Sequence, residues 1–329
     1  DKAVYNAIMN SIAIIDGQDK EKGETAIPQI LSDALAISFD THVGHDYEED
    51  SDERFDFYHR VETRTEFDID LMNKITNGGL PNKTLNVVMA GTGVGKSMFL
   101  CHFATSCLKQ NKRVLYITCE MAEERIAERI DANMMNITLD TLKTLPKEMY
   151  DRKLQRATKN VTGRLIVKEY PTAVANVMHF RSLFEELKLK RNFVPDVVIV
   201  DYLNICASAR FKAGSSVNSY TFIKAIAEEL RGLAVEMNLP IVTATQTNRT
   251  GFSNTDVSLE DTSESFGLPA TADFMFALIS TDELEQLGQI MVKQLKNRYG
   301  DPNTNKKFVI GIDKSKMTFY NLEDSAQTT

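Results

Sequence analysis

The chain has 329 residues, of which 43% are hydrophobic and 26% charged, and its formal net charge is −8. This length can bury the core of one large or two ordinary domains. The negative charge excludes binding to nucleic acid through the surface as a whole, so any such contact needs local basic patches. No apolar run approaches the roughly 20 residues that span a bilayer, which argues against a membrane partner.

The first 60 residues are predicted to form linker helices followed by an acidic linker. The apolar positions of the two helical patterns are Val4, Ile8, Ile12 and Ile15, then Ile27, Leu31, Ala34 and Leu35. The acidic stretch His45–Asp56 predicts a solvated linker. Two short amphipathic helices cannot enclose a core, so each must pack on its own domain or, as we favour, on a neighbouring subunit. Because the chain begins at Asp1 rather than methionine, we expect a fragment whose natural N-terminal part is missing.

Residues 61–329 are predicted to form one α/β domain. Five apolar strands alternate with helices, which indicates a mostly parallel sheet covered on both faces. The last strand candidates are not separated by long helices, which predicts that they extend the sheet in antiparallel fashion. The strand candidates are Leu85–Ala90, Arg113–Thr118, Leu165–Lys168, Val197–Val200, Ile241–Thr245, Phe274–Ser280, Ile290–Leu295, Phe308–Asp313 and Met317–Asn321. The helical candidates are Ser97–Lys109, Ala122–Asn133, Val174–Lys190 and Ser219–Met237.

The cysteines and histidines give no sign of a metal site. Cys101, Cys107, Cys119 and Cys206 form no C-x-x-C pair, and the five histidines are scattered without metal-ligand spacing. Cysteines in apolar patterns are typical of reduced core thiols, so we expect an intracellular, cytoplasmic protein.

The stretch "VVMAGTGVGKSMF", Val87–Phe99, is an apolar strand, a glycine-rich turn and the start of a helix. This is the arrangement of a P-loop, in which backbone amides and the helix N-terminus hold a phosphate, lysine reaches the β- and γ-phosphates, and serine ligates Mg²⁺. Ala90 replaces the first glycine of the usual pattern. The predicted nucleotide-binding residues are Gly91, Thr92, Gly93, Val94, Gly95, Lys96, Ser97 and Met98. The expected cofactors are ATP or GTP with Mg²⁺.

Three polar residues at the ends of other strands are candidates for the remaining chemistry. Asp201 follows four aliphatic residues and is the expected second magnesium ligand, with a capping carboxylate as the alternative. Glu120 ends the strand after the P-loop helix and is the expected general base, although it could simply cap the next helix. Gln246 is expected to contact the γ-phosphate, unless its amide only satisfies its own loop.

Five sequence elements together resemble one known family. "GLPNKTLNVVMAGTGVGKS", "YITCEM", "VVIVDYLN" and "TATQTNR" occur in this order, followed by "LKNRYG" at Leu295–Gly300. The chain resembles hexameric replicative helicases of the DnaB type, and within them those of T-even phages. The resemblance implies a RecA-like P-loop ATPase domain that assembles as a homohexameric ring with ATP at each subunit interface. It assigns Lys96, Ser97, Glu120, Asp201 and Gln246 to a subunit's own site, and Lys296 and Arg298 to the site of its neighbour.

The resemblance also implies two loops that hold single-stranded DNA in a central channel. They correspond to Ser208–Ser216 and Leu259–Pro269, and solvated surface turns are the alternative reading of both. Related helicases often have arginine where Ser263 stands here, so the second loop departs from the family pattern. The candidate DNA-binding residues are Arg210, Lys212, Glu264 and Gly267.

The resemblance, together with the P-loop, implies an ATP-driven motor that moves on single-stranded DNA and unwinds duplex at a bacteriophage replication fork. Family analogy implies 5′ to 3′ movement and, as partners, a primase and a helicase loader. Two alternatives stay open. One is a recombinase-type ATPase that forms filaments on DNA, and the other is a RecA-like regulatory ATPase that does not touch DNA.

Overall fold

The computed structural model describes residues 2–17, 26–28, 30–31, 34, 46–59, 62–211, 217–246 and 267–323. The chain divides into two compact units, Asp1–Val61 and Glu62–Thr329. The first unit contains helices α1 (Lys2–Ile15) and α2 (Ser51–His59). Of the predicted second helical pattern, Ile27, Leu31 and Ala34 are described and helical, and Ala34 is buried, whereas Leu35 lies outside the described residues.

In helix α1, the predicted apolar stripe is not the buried face. Ile8, Ile12 and Ile15 are 46%, 45% and 62% exposed, whereas the buried side chains include Ala7 and Ile14. The described residues therefore leave this stripe exposed. That it packs on another subunit stays a prediction.

The acidic stretch, predicted as a solvated linker, forms a helix from Ser51 to His59, and its role as a linker stays a prediction. Asp52 and Glu53 lie in the first turn of α2, where negative side chains interact favourably with the helix dipole. Most of its described side chains are exposed, as expected for a charged segment.

The second unit is an α/β domain with the elements in the predicted order. Its helices are α3 (Asp70–Ile75), α4 (Lys96–Lys109), α5 (Glu123–Met135), α6 (Leu139–Thr144), α7 (Lys147–Thr158), α8 (Val177–Arg191), α9 (Ser219–Glu236), α10 (Gly267–Thr271) and α11 (Asp282–Gln286). Its strands are β1 (Leu85–Ala90), β2 (Arg113–Thr118), β3 (Arg164–Glu169), β4 (Val197–Asp201), β5 (Ile241–Gln246), β6 (Phe274–Ile279), β7 (Gln289–Asn297), β8 (Lys307–Asp313) and β9 (Thr318–Tyr320).

Within the described ranges, the nine strands form one sheet in the order β3-β2-β4-β5-β1-β6-β7-β8-β9. The first six strands of this order are parallel, and β7, β8 and β9 are added in antiparallel fashion. The predicted α/β class, with a mostly parallel sheet and an antiparallel C-terminal extension, is confirmed.

Both faces of the sheet are buried, which explains why its strands read as continuous apolar runs. Along β1, Val88 and Ala90 point to the core built on α4 and α5, whereas Val87 and Met89 point to the core built on α8 and α9. All six residues of β1 are buried, so the loop that follows this strand starts from a rigid position.

Two helices between α5 and β3 were not predicted. Helices α6 and α7 have no fully buried side chain among their residues. Helix α8 begins three residues later than predicted because Asn176 caps it, accepting bonds from the amides of Met178 and His179.

Candidate nucleotide site

The glycine-rich loop joins the end of β1 to the start of α4. Gly93 has φ of 76° and Gly95, the N-cap of α4, has φ of 134°, and side chains at such angles are strained. Ala90 needs no glycine, because it is the buried last residue of β1 and is paired with β5 and β6. Helix α4 begins at Lys96, so its unpaired backbone N–H groups and positive dipole end face the loop.

Asp201 lies beside the loop, at the end of β4, and its carboxylate is tied from both sides. The Ser97 hydroxyl donates to Oδ1 at 3.2 Å, and the Tyr116 hydroxyl donates to Oδ2 at 2.8 Å. Burial raises the pKa of Asp201, and nearby Glu120 adds to this, whereas the two hydroxyl donors oppose it. A hydroxyl and a carboxylate held together are hard oxygen donors of the kind that Mg²⁺ prefers.

A cavity of about 350 Å³ opens in front of the loop. The Lys96 ammonium faces it from 5.6 Å above the ring of Tyr202. Burial lowers the pKa of Lys96, and the negative charges of Glu120 and Asp201 partly offset that shift. The cavity is lined by Thr92–Met98 and by Glu120, Met121, Arg129, Tyr202, Gln246, Lys314 and Met317.

Glu120 and Gln246 both lie at this cavity, as their positions at strand ends predicted. Strands β2 and β4 are neighbours with Thr118 opposite Asp201, so Glu120 extends from β2 at the carboxyl edge of the sheet. Its side chain is exposed and so accessible to solvent. Gln246 donates from Nε2 to the hydroxyl of Thr92, so this amide contacts the glycine-rich loop itself.

Four polar residues of this site were not found from the sequence. Tyr116 is fully buried within β2, where a tyrosine in an aliphatic run reads only as core. Its position two residues before the strand end was the available signal. Arg129, Tyr202 and Lys314 line the cavity from α5, the end of β4 and the turn after β8. Lys314 also donates to Glu285 at 2.7 Å.

Lys296 and Arg298 lie at the opposite end of the strands from this cavity. Phe274 is paired with Asn86 of β1 and with Asn297 of β7, so Arg298 follows a residue level with the start of β1. The loop follows the far end of β1, about 16 Å further along at ~3.3 Å per residue. The structure therefore does not bring these two cations to the cavity of their own chain.

At that end of the strands the two cations have local partners. Arg298 donates from Nη1 to Asp273 Oδ1 at 2.7 Å. The Lys296 ammonium donates to the carbonyl of Ala270 at 2.9 Å and to that of Pro269. Burial lowers the pKa of Lys296, and the positive charge of Arg298 adds to this.

The predicted DNA-binding residues fall partly outside the described residues, namely Lys212 and Glu264. Gly267 begins α10. Arg210 is exposed, and its guanidinium donates from Nη1 to Glu228 of α9. The backbone N–H of Ala209 donates to Glu229 at 2.9 Å, so α9 anchors the start of this loop.

The rest of the described chain adds no second metal or membrane feature. No group of three or more His, Cys, Asp or Glu residues in the described ranges is arranged to hold a metal ion. No helix among the described residues has the length and apolar character to cross a membrane. The cysteines are buried and free.

A family model, the DnaB-like helicase C terminal domain, matches residues 65–318. The chain belongs to this family. The DnaB-like replicative helicase of Enterobacteria phage T4 is 48% identical over 307 residues, which cover 92% of this chain and 64% of that protein. The chain thus spans less than two thirds of the length of this relative.

Solved structures agree with this DnaB-like assignment at the level of the fold. A DnaB-like replicative helicase studied for its interactions with primase superposes with a TM-score of 0.73 at 19% identity, covering 97% of this chain and 77% of that one. A second solved structure, that of an ATPase domain, superposes with a TM-score of 0.69 at 20% identity, covering 84% of this chain and all of that one. The predicted family and the RecA-like ATPase fold are confirmed, and the recombinase alternative is not favoured.

Proposed function

We propose that this DnaB-like chain is the motor part of an ATP-dependent replicative DNA helicase. The observation that carries the proposal is the cavity at the P-loop, where Lys96, the Ser97–Asp201 pair and Glu120 converge. Family membership and the 48% identity to the T4 helicase favour a helicase over a recombinase or a regulatory ATPase.

In its own site the chain supplies positioning and charge. Lys96 and the backbone of Gly91–Met98 bind the phosphates of ATP, with GTP as a second candidate. Ser97 and Asp201 hold Mg²⁺, whose role when bound is to neutralise phosphate charge. Tyr116 fixes the carboxylate of Asp201 by donating to the oxygen that Ser97 does not use.

Hydrolysis additionally needs a group that takes the proton of the attacking water. Glu120 is the candidate, because its exposed carboxylate faces the cavity beside Lys96. Gln246 is the candidate sensor of the γ-phosphate. Its amide contacts Thr92 of the phosphate-binding loop, so a change at the phosphate reaches the segment that follows β5.

Lys296 and Arg298 act on the nucleotide of the neighbouring subunit. They lie about one strand length from their own cavity, too far to reach it. Across a subunit interface, a cation at this end of the strands would neutralise charge in the transition state and make hydrolysis depend on assembly. We therefore propose that the functional particle is a homohexameric ring with a nucleotide at each interface.

Residues 1–60 act as the linker of this ring, with residues 61–329 as the motor domain. Tyr5, Ile8, Met9, Ile12 and Ile15 expose large apolar surface on α1, which is costly to leave in water. We propose that a neighbouring subunit covers it.

The DNA contacts in the channel come from Arg210 and Lys212 in one loop and from the Glu264 and Gly267 region in the other. Arg210 is paired with Glu228 in the isolated chain, so binding a DNA phosphate exchanges one anionic partner for another. By analogy with the family, a primase and a loader are further partners, and the site of action is the replication fork in the host cytoplasm.

The proposal is tested by strand displacement with the purified chain on forked duplexes carrying either a 5′ or a 3′ tail. A motor unwinds one polarity with ATP and neither with a non-hydrolysable analogue. Glu120→Gln serves as the matched inactive variant, and electron micrographs distinguish rings from filaments. DNA-independent ATPase activity without unwinding, or helical filaments, would contradict the proposal.

A further inference from the structure

Asp273 is a buried carboxylate at the same end of the strands as Lys296 and Arg298. It precedes β6, and only 3% of its surface is exposed. Its oxygens accept from the backbone N–H of Leu85 at 3.0 Å and from two arginines, Arg231 of α9 and Arg298. Through Leu85 this carboxylate is attached to the first residue of β1, the strand that ends in the P-loop.

The two arginines use Asp273 differently. Arg231 forks onto the carboxylate, with Nε donating to Oδ2 at 3.1 Å and Nη2 donating to Oδ1 at 3.1 Å. Arg298 donates through Nη1 alone, at 2.7 Å. Among the described residues, the side-chain Nε and Nη2 of Arg298 have no partner, and the Arg298 side chain is 48% exposed.

A cavity of about 340 Å³ opens beside these groups, lined by Glu228, Arg231, Gly232, Ala270, Thr271 and Arg298. One carboxylate, Asp273, serves two guanidiniums, and Glu228 already binds Arg210. This cavity therefore carries excess positive charge that suits an anion such as a phosphate.

We propose that Arg231 is a positioning residue for hydrolysis at the neighbouring subunit's nucleotide. By occupying Asp273 with a two-point fork, it restricts Arg298 to one hydrogen bond and leaves the rest of that guanidinium directed at the interface. This inference rests on the proposed role of Arg298 in the neighbour's site, and it adds a residue outside the "LKNRYG" element.

The physical reason is competition for one carboxylate. Arginine and carboxylate prefer a two-point geometry, and both donors of that fork are then unavailable for a phosphate. Without Arg231, Asp273 is free to take Arg298 in that geometry and to neutralise it. The expected loss is in the rate of hydrolysis and not in the binding of ATP, since the nucleotide is bound by the P-loop of the other subunit.

The experiment compares Arg231→Gln, Arg231→Lys and Arg298→Ala, with Arg181→Gln as the matched control. Arg181 also forks onto a carboxylate, that of Glu236 on α9, but away from the cavity. Hexamer content is measured by native mass spectrometry, and kcat and KM of DNA-stimulated ATP hydrolysis are measured on the intact chain.

We expect Arg231→Gln to lower kcat by roughly 10-fold or more, with KM for ATP within about twofold and hexamers retained. The lysine variant keeps the charge without the fork and falls between wild type and Arg231→Gln. The double variant with Arg298→Ala is no slower than Arg298→Ala alone, because both changes remove one function. Mixing Arg231→Gln subunits with Lys96→Ala subunits should restore part of the ATPase activity. Mixing Arg298→Ala subunits with Lys96→Ala subunits should do the same.

The outcomes separate this inference from the proposed function. Full activity of Arg298→Ala, or no recovery on mixing it with Lys96→Ala in confirmed mixed hexamers, overturns the role of Arg298 across the interface. If Arg298→Ala behaves as proposed but Arg231→Gln matches Arg181→Gln, the inference about Arg231 is wrong. A slow Arg231→Gln that is not rescued by mixing, or that is additive with Arg298→Ala, also overturns it.

Discussion

The proposed magnesium site can be tested by removing a single oxygen atom, the hydroxyl of Tyr116. It donates to Asp201 Oδ2 at 2.8 Å, and both side chains are fully buried. The remaining side-chain donor to this carboxylate among the described residues is Ser97, which uses the other oxygen at 3.2 Å. Tyr116→Phe therefore leaves Oδ2 without its donor while filling almost the same volume.

The size of the effect follows from the kind of bond that is lost. A hydrogen bond to a charged group contributes about 1.5–3 kcal/mol, which corresponds to roughly 10- to 150-fold in an equilibrium constant. We expect the midpoint of Mg²⁺ activation of ATP hydrolysis to rise at least ~10-fold in Tyr116→Phe, with the ring intact by sedimentation. Mg²⁺-dependent binding of a fluorescent ATP analogue should shift by a similar factor.

The control is Tyr150→Phe, which removes a hydroxyl bond of the same length. Tyr150 donates to Asp131 Oδ2 at 2.8 Å, and neither residue lines the nucleotide cavity. This variant should leave the Mg²⁺ titration unchanged. A Tyr116→Phe titration that superposes on wild type, with the fold intact, would refute the assignment of Tyr116 as the residue that orients Asp201.

Three further predictions concern the motor and its assembly. Lys96→Ala should abolish ATP hydrolysis with unchanged circular dichroism, and near-normal turnover would contradict the P-loop assignment. Glu120→Gln should bind ATP and assemble but hydrolyse roughly 100-fold more slowly or worse, the scale of a lost general base; failure of nucleotide binding would instead indicate a structural role. Ile12→Glu, at a 45% exposed position, should weaken the hexamer in sedimentation without lowering the thermal stability of the chain, and an undiminished hexamer at low concentration would count against docking of α1 on a neighbour.

The sequence by itself predicted the parallel sheet and the core of the candidate nucleotide site. Strand β1 and strand β2 were predicted to the residue because strands buried on both faces are uninterrupted apolar runs. The P-loop and Asp201 were predicted because their chemistry occupies fixed positions next to such strands. The parallel arrangement then places the strand ends at one edge, which is why Glu120 and Gln246 also lie at the cavity.

Only the tertiary structure decided which polar residues support that site. Tyr116 contacts Asp201 across 85 positions of sequence, and Arg231 contacts Asp273 across 42, so no local pattern marks either pair. The antiparallel pairing of β6 with β7 decides that Arg298 lies level with the start of β1 and not with its end. Local sequence specifies a strand through its period and apolar content, whereas the partner of a buried charge is set by which strands and helices the fold places side by side.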